Sequence, residues 1–414
     1  MPPDGLYVIM ILIPLLGIER LIKMPISLRV KQGLVRDAFW QALSAERAAL
    51  RQQYGGDRVF DLTLENPLRE PPPDFGRELL KLLETPHAGL HRYMENAGYS
   101  ETRQAIAAAL AEETGLPFTL NEVIMTSGAS GALNMALKAL LNPGEEVVLL
   151  APTAFDYPAY VENHSAVARI VPCNAAFQPD LPALESAITP RTKAVLVNSP
   201  NNPAGVVYSH AMLQDIAATV IRLSERFGSR IYLISDDTYR KFYYGRGRLP
   251  WILNHYPHTI VVSSYSKEMP VPGERIGYTA VSPSCEDARG VIGGLIHANR
   301  TLGFVNAPAL MQNVVRGLPK SYVNTAEYKA KRDFLSTRLQ RIGYDVVKPA
   351  GAFFLLPRAP AADDWAFMDK LKKYRVLTVP GSLYQAPGYF RISYCVDMPM
   401  LTGSLEGFKQ AFKG

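Results

Sequence analysis

The chain has 414 residues, 48% of them hydrophobic, enough for two packed domains that each bury a core. Its 44 Lys+Arg and 38 Asp+Glu are interleaved, so the net charge of +6 forms no basic block and nucleic acid is excluded as a partner. Cys173, Cys285 and Cys395 lack CxxC spacing and the seven histidines never flank a Glu at i, i+4; no disulfide framework and no metal site are expected, and a reducing cytoplasm fits.

Leu6 to Ile18 is almost wholly apolar but interrupted by Pro14 and followed by Glu19, Arg20 and Lys23. A bilayer span needs ~20 apolar residues, and a signal peptide needs a basic start and a small-residue cleavage site. Residues 1–23 are therefore expected to precede the true start, with Met24 opening the domain. Pro71-Pro72-Pro73 marks a boundary. Beyond it, apolar runs alternate with helical patterns: 122–125, 146–150, 168–171, 194–197, 231–234 and 260–263. Short continuous apolar strands separated by amphipathic helices predict an α/β fold, a mainly parallel sheet covered on both faces. After about residue 320 the pattern changes to a long charged helix, 324–341, and short strands at 353–356 and 390–394. The expected division is a large domain over 71–319 and a smaller α+β domain from 24–70 and 320–414.

Ligands of open α/β sheets bind where the strand ends converge. The first polar strand end, Thr126 to Leu133, runs small residues (Gly128, Ala129, Ser130, Gly131) into a helix, where free N–H groups and the helix dipole favour a phosphate. It is neither a P-loop nor a GxSxG elbow, and such a turn alone is as often mere tight packing. The second, Asn198-Ser199-Pro200-Asn201-Asn202-Pro203-Ala204-Gly205, is a rigid loop able to fix an amide at one depth, or simply a turn. In the third, Asp236 follows four apolar residues and Tyr239 lies just beyond; a carboxylate buried there needs a positive partner. The fourth gives Ser264-Tyr265-Ser266-Lys267 and then Arg275; desolvation and cationic neighbours lower a lysine toward nucleophilic use, although one lysine after a strand is usually solvated. The set combines an anion cradle, an amide, a carboxylate, a phenol, an amine and a guanidinium. One small molecule with a phosphate, a basic ring nitrogen, a ring oxygen and an aldehyde satisfies all of it: pyridoxal 5'-phosphate (PLP).

From about Met24 to the C-terminus the chain resembles the class I/II aminotransferases of PLP fold type I. The resemblance rests on the Asn-Asn-Pro-x-Gly loop, the Ser-x-x-Lys strand end with Arg275 eight residues on, and Phe390-Arg391-Ile392-Ser393, all in the family's order. The stretches Tyr93 to Tyr99 and Pro272 to Tyr278 further resemble a bacterial subgroup. The resemblance implies that Lys267 carries the cofactor covalently, that Asp236 pairs with its ring nitrogen, and that Tyr239 and Asn202 hydrogen-bond its ring oxygen. It also implies that Ala129, Ser130, Ser264 and Arg275 hold the phosphate. Arg391, with Asn202 beside it, clamps the substrate carboxylate, and Tyr93 reaches the phosphate in the neighbouring subunit of a homodimer. The activity implied is ping-pong amino transfer between an L-amino acid and a 2-oxo acid.

Two positions depart from the pattern. Glu65 stands where the family has glycine near the substrate carboxylate, and weakens binding unless it points away. Ala154 stands where an aromatic stacks on the cofactor ring. Phe155, in a loop bracketed by Pro152 and Pro158, is expected to turn back over the ring instead of packing into the core. The rival readings are a PLP lyase or decarboxylase, since fold does not fix reaction, and a non-enzymatic sensor. A sensor needs a DNA-binding module, and residues 1–70 hold no helix-turn-helix pattern. A nicotinamide dehydrogenase needs Gly-x-Gly-x-x-Gly, which is missing.

Overall fold

The structure, a computed structural model, describes residues 25–67, 69–85, 89–318 and 322–413; the expected extension over 1–23 lies outside the described residues. After a long helix (Leu28–Tyr54) and a short strand β1 (Phe60–Asp61), the expected apolar runs appear as β2 (Val123–Thr126), β3 (Glu146–Leu150), β4 (Val167–Val171), β5 (Thr192–Asn198), β6 (Tyr232–Asp236) and β7 (Thr259–Ser264). They form one seven-stranded sheet together with β8 (Gly277–Val281), in the order β2-β8-β7-β6-β5-β3-β4. All neighbours are parallel except β8, which runs antiparallel to both β2 and β7.

Both faces of this sheet are covered, as the unbroken apolar runs require. Val147 and Leu149 of β3 pack on one side with Leu133 and Ala136 from the helix Gly128–Leu140, while Val148 and Leu150 pack on the other with Leu213 and Ile216 from the helix His210–Phe227. Burying each such side chain contributes about 1.5–3 kcal/mol. At the edge the rule lapses: Val167 and Ile170 of β4 are exposed.

The remaining strands are short. β9 (Phe354–Leu355), β11 (Val379–Pro380) and β12 (Phe390–Ser393) make an antiparallel sheet in the order β11-β12-β9, and β1 pairs in parallel with β10 (Val376–Leu377). The segment before Pro71 is thereby tied to the tail. A core rich in aromatic rings, with Phe353, Phe354, Tyr344, Phe390 and Phe408, holds these strands against the helix Thr325–Ile342. That helix begins where the sequence places it, because the Asn324 side chain accepts from the Ala326 N–H at 3.0 Å.

The parallel strands deliver their ends to one edge. Asn198 pairs in register with Asp236, and β7 runs from Ser264 directly into the short helix Tyr265–Glu268. The Asn201–Gly205 turn closes with the Gly205 N–H donating to the Asn201 carbonyl at 2.9 Å. The Gly205 carbonyl in turn accepts from the N–H groups of Ala350 and Gly351, which fixes the loop to the chain entering β9. Gly205 sits at φ +67°, and a Cβ there would lie 2.6 Å from Pro349 Cβ and 2.8 Å from the Phe354 carbonyl oxygen. Gly228 has a similar φ of +59° with nothing within 4 Å. Gly205→Ala is expected to lower stability by more than about 1 kcal/mol beyond what Gly228→Ala loses, since only the former adds a clash to the backbone strain. Thermal denaturation of the two variants measures the difference.

Candidate active site

Lys267 is half-buried behind the edge of the large sheet, and its Nζ donates to the Glu65 carbonyl at 2.6 Å. Burial pulls the ammonium below its ordinary pKa, against the charges of Glu65 and Cys395. Asp236, at the tip of β6, is buried and fully engaged: Oδ2 accepts from the Tyr157 hydroxyl at 2.6 Å, Oδ1 from the Thr238 N–H at 3.0 Å, and its carbonyl from Asn198 Nδ2 at 3.0 Å. Tyr239 packs edge-on against Phe353 and Phe354 with centroids 5.3 and 5.4 Å away. Burial, then the charge of Glu65, raises its hydroxyl well above the phenol range.

A second group gathers around Gly277, which pairs with Thr126 on one side and Ser264 on the other. No side chain is tolerated there: a Cβ would meet the Ser263 carbonyl at 2.5 Å. The close approach sets the start of the helix Gly128–Leu140, with Ala129 and Ser130 in its first turn, beside Ser264. Arg275, in the left-handed region at φ 52°, lays its guanidinium against Gly128, where a Cβ would lie 3.0 Å from Nη2. Ser264 Oγ and Ser266 Oγ are 2.7 Å apart, and no side chain caps the helix start at Ser127. Open N–H groups at a helix N-terminus beside a guanidinium and hydroxyls form an anion cradle.

Arg391, on β12, is fully buried, with its guanidinium 4.8 Å from the centroid of Phe354 and 4.7 Å from that of Tyr384. Nη2 donates to the Thr63 carbonyl at 2.9 Å and Nη1 to Asn202 Oδ1 at 3.3 Å, and Nη1 also ion-pairs with Glu65. Asn202 Nδ2 approaches the two Glu65 carboxylate oxygens at 3.4 and 3.5 Å. Burial works to raise the Glu65 carboxyl, but Arg391 and Lys267 outweigh it and hold it below the ordinary range. The condition that Glu65 point away is not met: its carboxylate occupies the guanidinium.

Glu65, Asn202 and Arg391 line a cavity of about 430 Å³ together with Trp40, Arg47, Ala154, Phe155, Asp156 and Tyr384. Phe155, expected to turn back over the cofactor ring, lines this cavity. Its ring faces Trp40 edge-on at 5.7 Å and packs against the apolar cluster of Phe39, Leu43 and Met368. Ala154 packs on the other side, in the cluster that includes Tyr157. Tyr93 lies outside this cavity and is 89% exposed.

Sequence reasoning missed Tyr157 and Asp156, and named Asn198 only as part of its loop. Pro158 was the available signal for the first, because a proline at the second helical position starts the helix Tyr157–Asn163 beside a strand end and turns Tyr157 toward Asp236. Tyr160, whose hydroxyl lies by Ser130, was also missed.

The family described as "Aminotransferase class I and II" matches residues 58–407. The chain belongs to the class I and II aminotransferases. A probable aspartate/prephenate aminotransferase of Thermus aquaticus is 34% identical over 335 residues, covering 78% of this chain and 85% of the relative. The aspartate aminotransferase of Thermotoga maritima is 30% identical over 370 residues, covering 88% and 93%. Among solved structures, an amino transferase from Eubacterium rectale superposes with a TM-score of 0.88 at 34% identity, over 90% of this chain and 94% of that one. The protein is thus a PLP-dependent transaminase of fold type I, moving an amino group between an amino acid and a 2-oxo acid. Its residues fit the cofactor: an amine lowered by burial, a carboxylate at strand depth and an anion cradle lie at neighbouring strand ends.

Proposed function

We propose that this transaminase works by a ping-pong cycle in which Lys267 is the covalent anchor and proton carrier, Asp236 holds the ring nitrogen and Arg391 receives the substrate carboxylate. When bound, PLP supplies an aldehyde that joins amines and a ring that accepts the electron pair left when the α-proton departs. Asp236, fixed by Tyr157 and Thr238, would pair with the ring nitrogen and hold a proton there. Tyr239 and Asn202 orient the ring oxygen. Ala129, Ser130, Ser264 and Arg275 take the phosphate. Lys267 Nζ, freed when the substrate amine takes its place, would take the proton from Cα and pass it to the carbon that was the cofactor's aldehyde. The stack of Phe354 and Tyr384 leaves Arg391 little freedom, so its fork is pre-set for a carboxylate. The convergence of Lys267, Asn202 and Arg391 on Glu65 is the observation that carries this reading, since one residue can touch all three only if they share a site.

The test is borohydride trapping of the cofactor-loaded protein followed by peptide mapping. Cofactor on Lys267, and its loss in Lys267→Ala protein that keeps its fold, is expected; cofactor on another lysine contradicts the assignment.

We further propose a cytoplasmic homodimer in which Tyr93 reaches the partner's site. Its support is the exposure of a large aromatic in a loop that makes no use of it within the chain, the three unpaired cysteines, and the lack of any helix among the described residues long and apolar enough to cross a membrane. Sedimentation is expected to give a dimer and cell fractionation a cytoplasmic protein; a clean monomer, or recovery in the membrane fraction, contradicts it.

A further inference from the structure

Glu65 places a carboxylate of the chain's own where the substrate's carboxylate is proposed to bind. It ion-pairs with Arg391 and lies 3.4 Å from Asn202 Nδ2, while its backbone carbonyl holds Lys267 Nζ. The Glu65 side chain is 34% exposed toward the cavity, whereas Arg391 is sealed at 0%. An incoming amino acid therefore meets an occupied guanidinium, and the movable member of the pair is Glu65. Displaced, it can only swing into the cavity it already lines.

Among the described residues that line that cavity, no uncommitted cation is left to receive it. Arg391 then serves the substrate, and Arg47 is committed to the buried Asp61 at 2.5 Å and to Thr63 Oγ1 at 3.0 Å. Asp156, on the same wall, has no ion-pair or hydrogen-bond partner for its carboxylate among the described residues. The surrounding protein atoms, then the charges of Glu65 and Asp37, push its carboxyl up to about 6. Substrate binding would thus leave two carboxylates facing one cavity, an arrangement that like-charge repulsion opposes unless a positive charge comes with the substrate. The small Ala154 leaves room for one on an extended side chain.

We propose that Glu65 is a specificity-determining residue that exchanges partners, leaving Arg391 to the substrate's α-carboxylate and joining Asp156 around a second, cationic nitrogen on the substrate's side chain. The preferred donors are amino acids with a basic side chain. This rests on the role proposed above for Arg391, and it departs from relatives whose names specify aspartate or prephenate.

The experiment compares kcat/KM of the PLP-loaded enzyme for ornithine, norvaline, which has the same carbon chain without the terminal amine, and glutamate, all with one 2-oxo acid acceptor. Ornithine is expected to exceed norvaline and glutamate by at least about ten-fold, a difference of about 1.4 kcal/mol in transition-state binding. Asp156→Asn and Glu65→Gln are each expected to shrink the ornithine-to-norvaline ratio several-fold, with bound-cofactor absorbance showing that each variant is folded. Calorimetry with α-methylornithine and α-methylnorvaline, which carry no α-proton and cannot turn over, is expected to show the same order in Kd. Norvaline or glutamate equal to ornithine overturns the inference while the transaminase reading stands, as does a ratio that neither substitution alters. Failure of every amino donor to turn over overturns both.

Discussion

A guanidinium that no water reaches has to find negative charge inside the protein, and Arg391 finds it in Glu65, with the Thr63 carbonyl and the Asn202 amide oxygen accepting from its other N–H groups while Nε has no partner among the described residues. Taking away the carboxylate beside a sealed guanidinium leaves an uncompensated charge, so the pair is held or replaced and not simply opened. Replacement needs another carboxylate, and amino acids bring one. On the proposal above, the same contact that satisfies the resting protein decides what may enter it.

The fold exists around that point. β12 presents Arg391 from one sheet, the Asn198–Gly205 loop presents Asn202 from the end of β5 in another, and Lys267 arrives on the helix after β7. Glu65 comes from the chain just after β1, which is itself held by β10 in the tail. Segments separated by more than 300 positions in sequence meet within one hydrogen-bonding network. At Gly205 and Gly277, both adjoining the site, backbones approach too closely for a side chain.

Much of this was legible in the sequence because the signals were local. Strands buried on both faces read as unbroken apolar runs; Asp236, expected at a strand end, is the last residue of β6, and Lys267 lies on the short helix that follows β7. β8 was not anticipated, since Gly277 and Thr279 interrupt its apolar pattern and its neighbours β2 and β7 determine its position. The direction of a side chain in an irregular loop was the least legible quantity. Phe155 turned to Trp40, a residue over a hundred positions earlier, and Glu65 turned toward Arg391 because a buried positive charge lay within reach. Neither partner is visible from the residues adjacent in sequence.

The central claim, that Glu65 holds the place of a substrate carboxylate and yields it, is tested most directly by the crystal structure of the PLP-loaded protein with α-methylornithine bound. The account requires the ligand's carboxylate on Arg391 and Asn202, with the Glu65 side chain moved to the ligand's terminal amine beside Asp156. A structure in which Glu65 stays on Arg391 and the ligand's carboxylate binds elsewhere would contradict it.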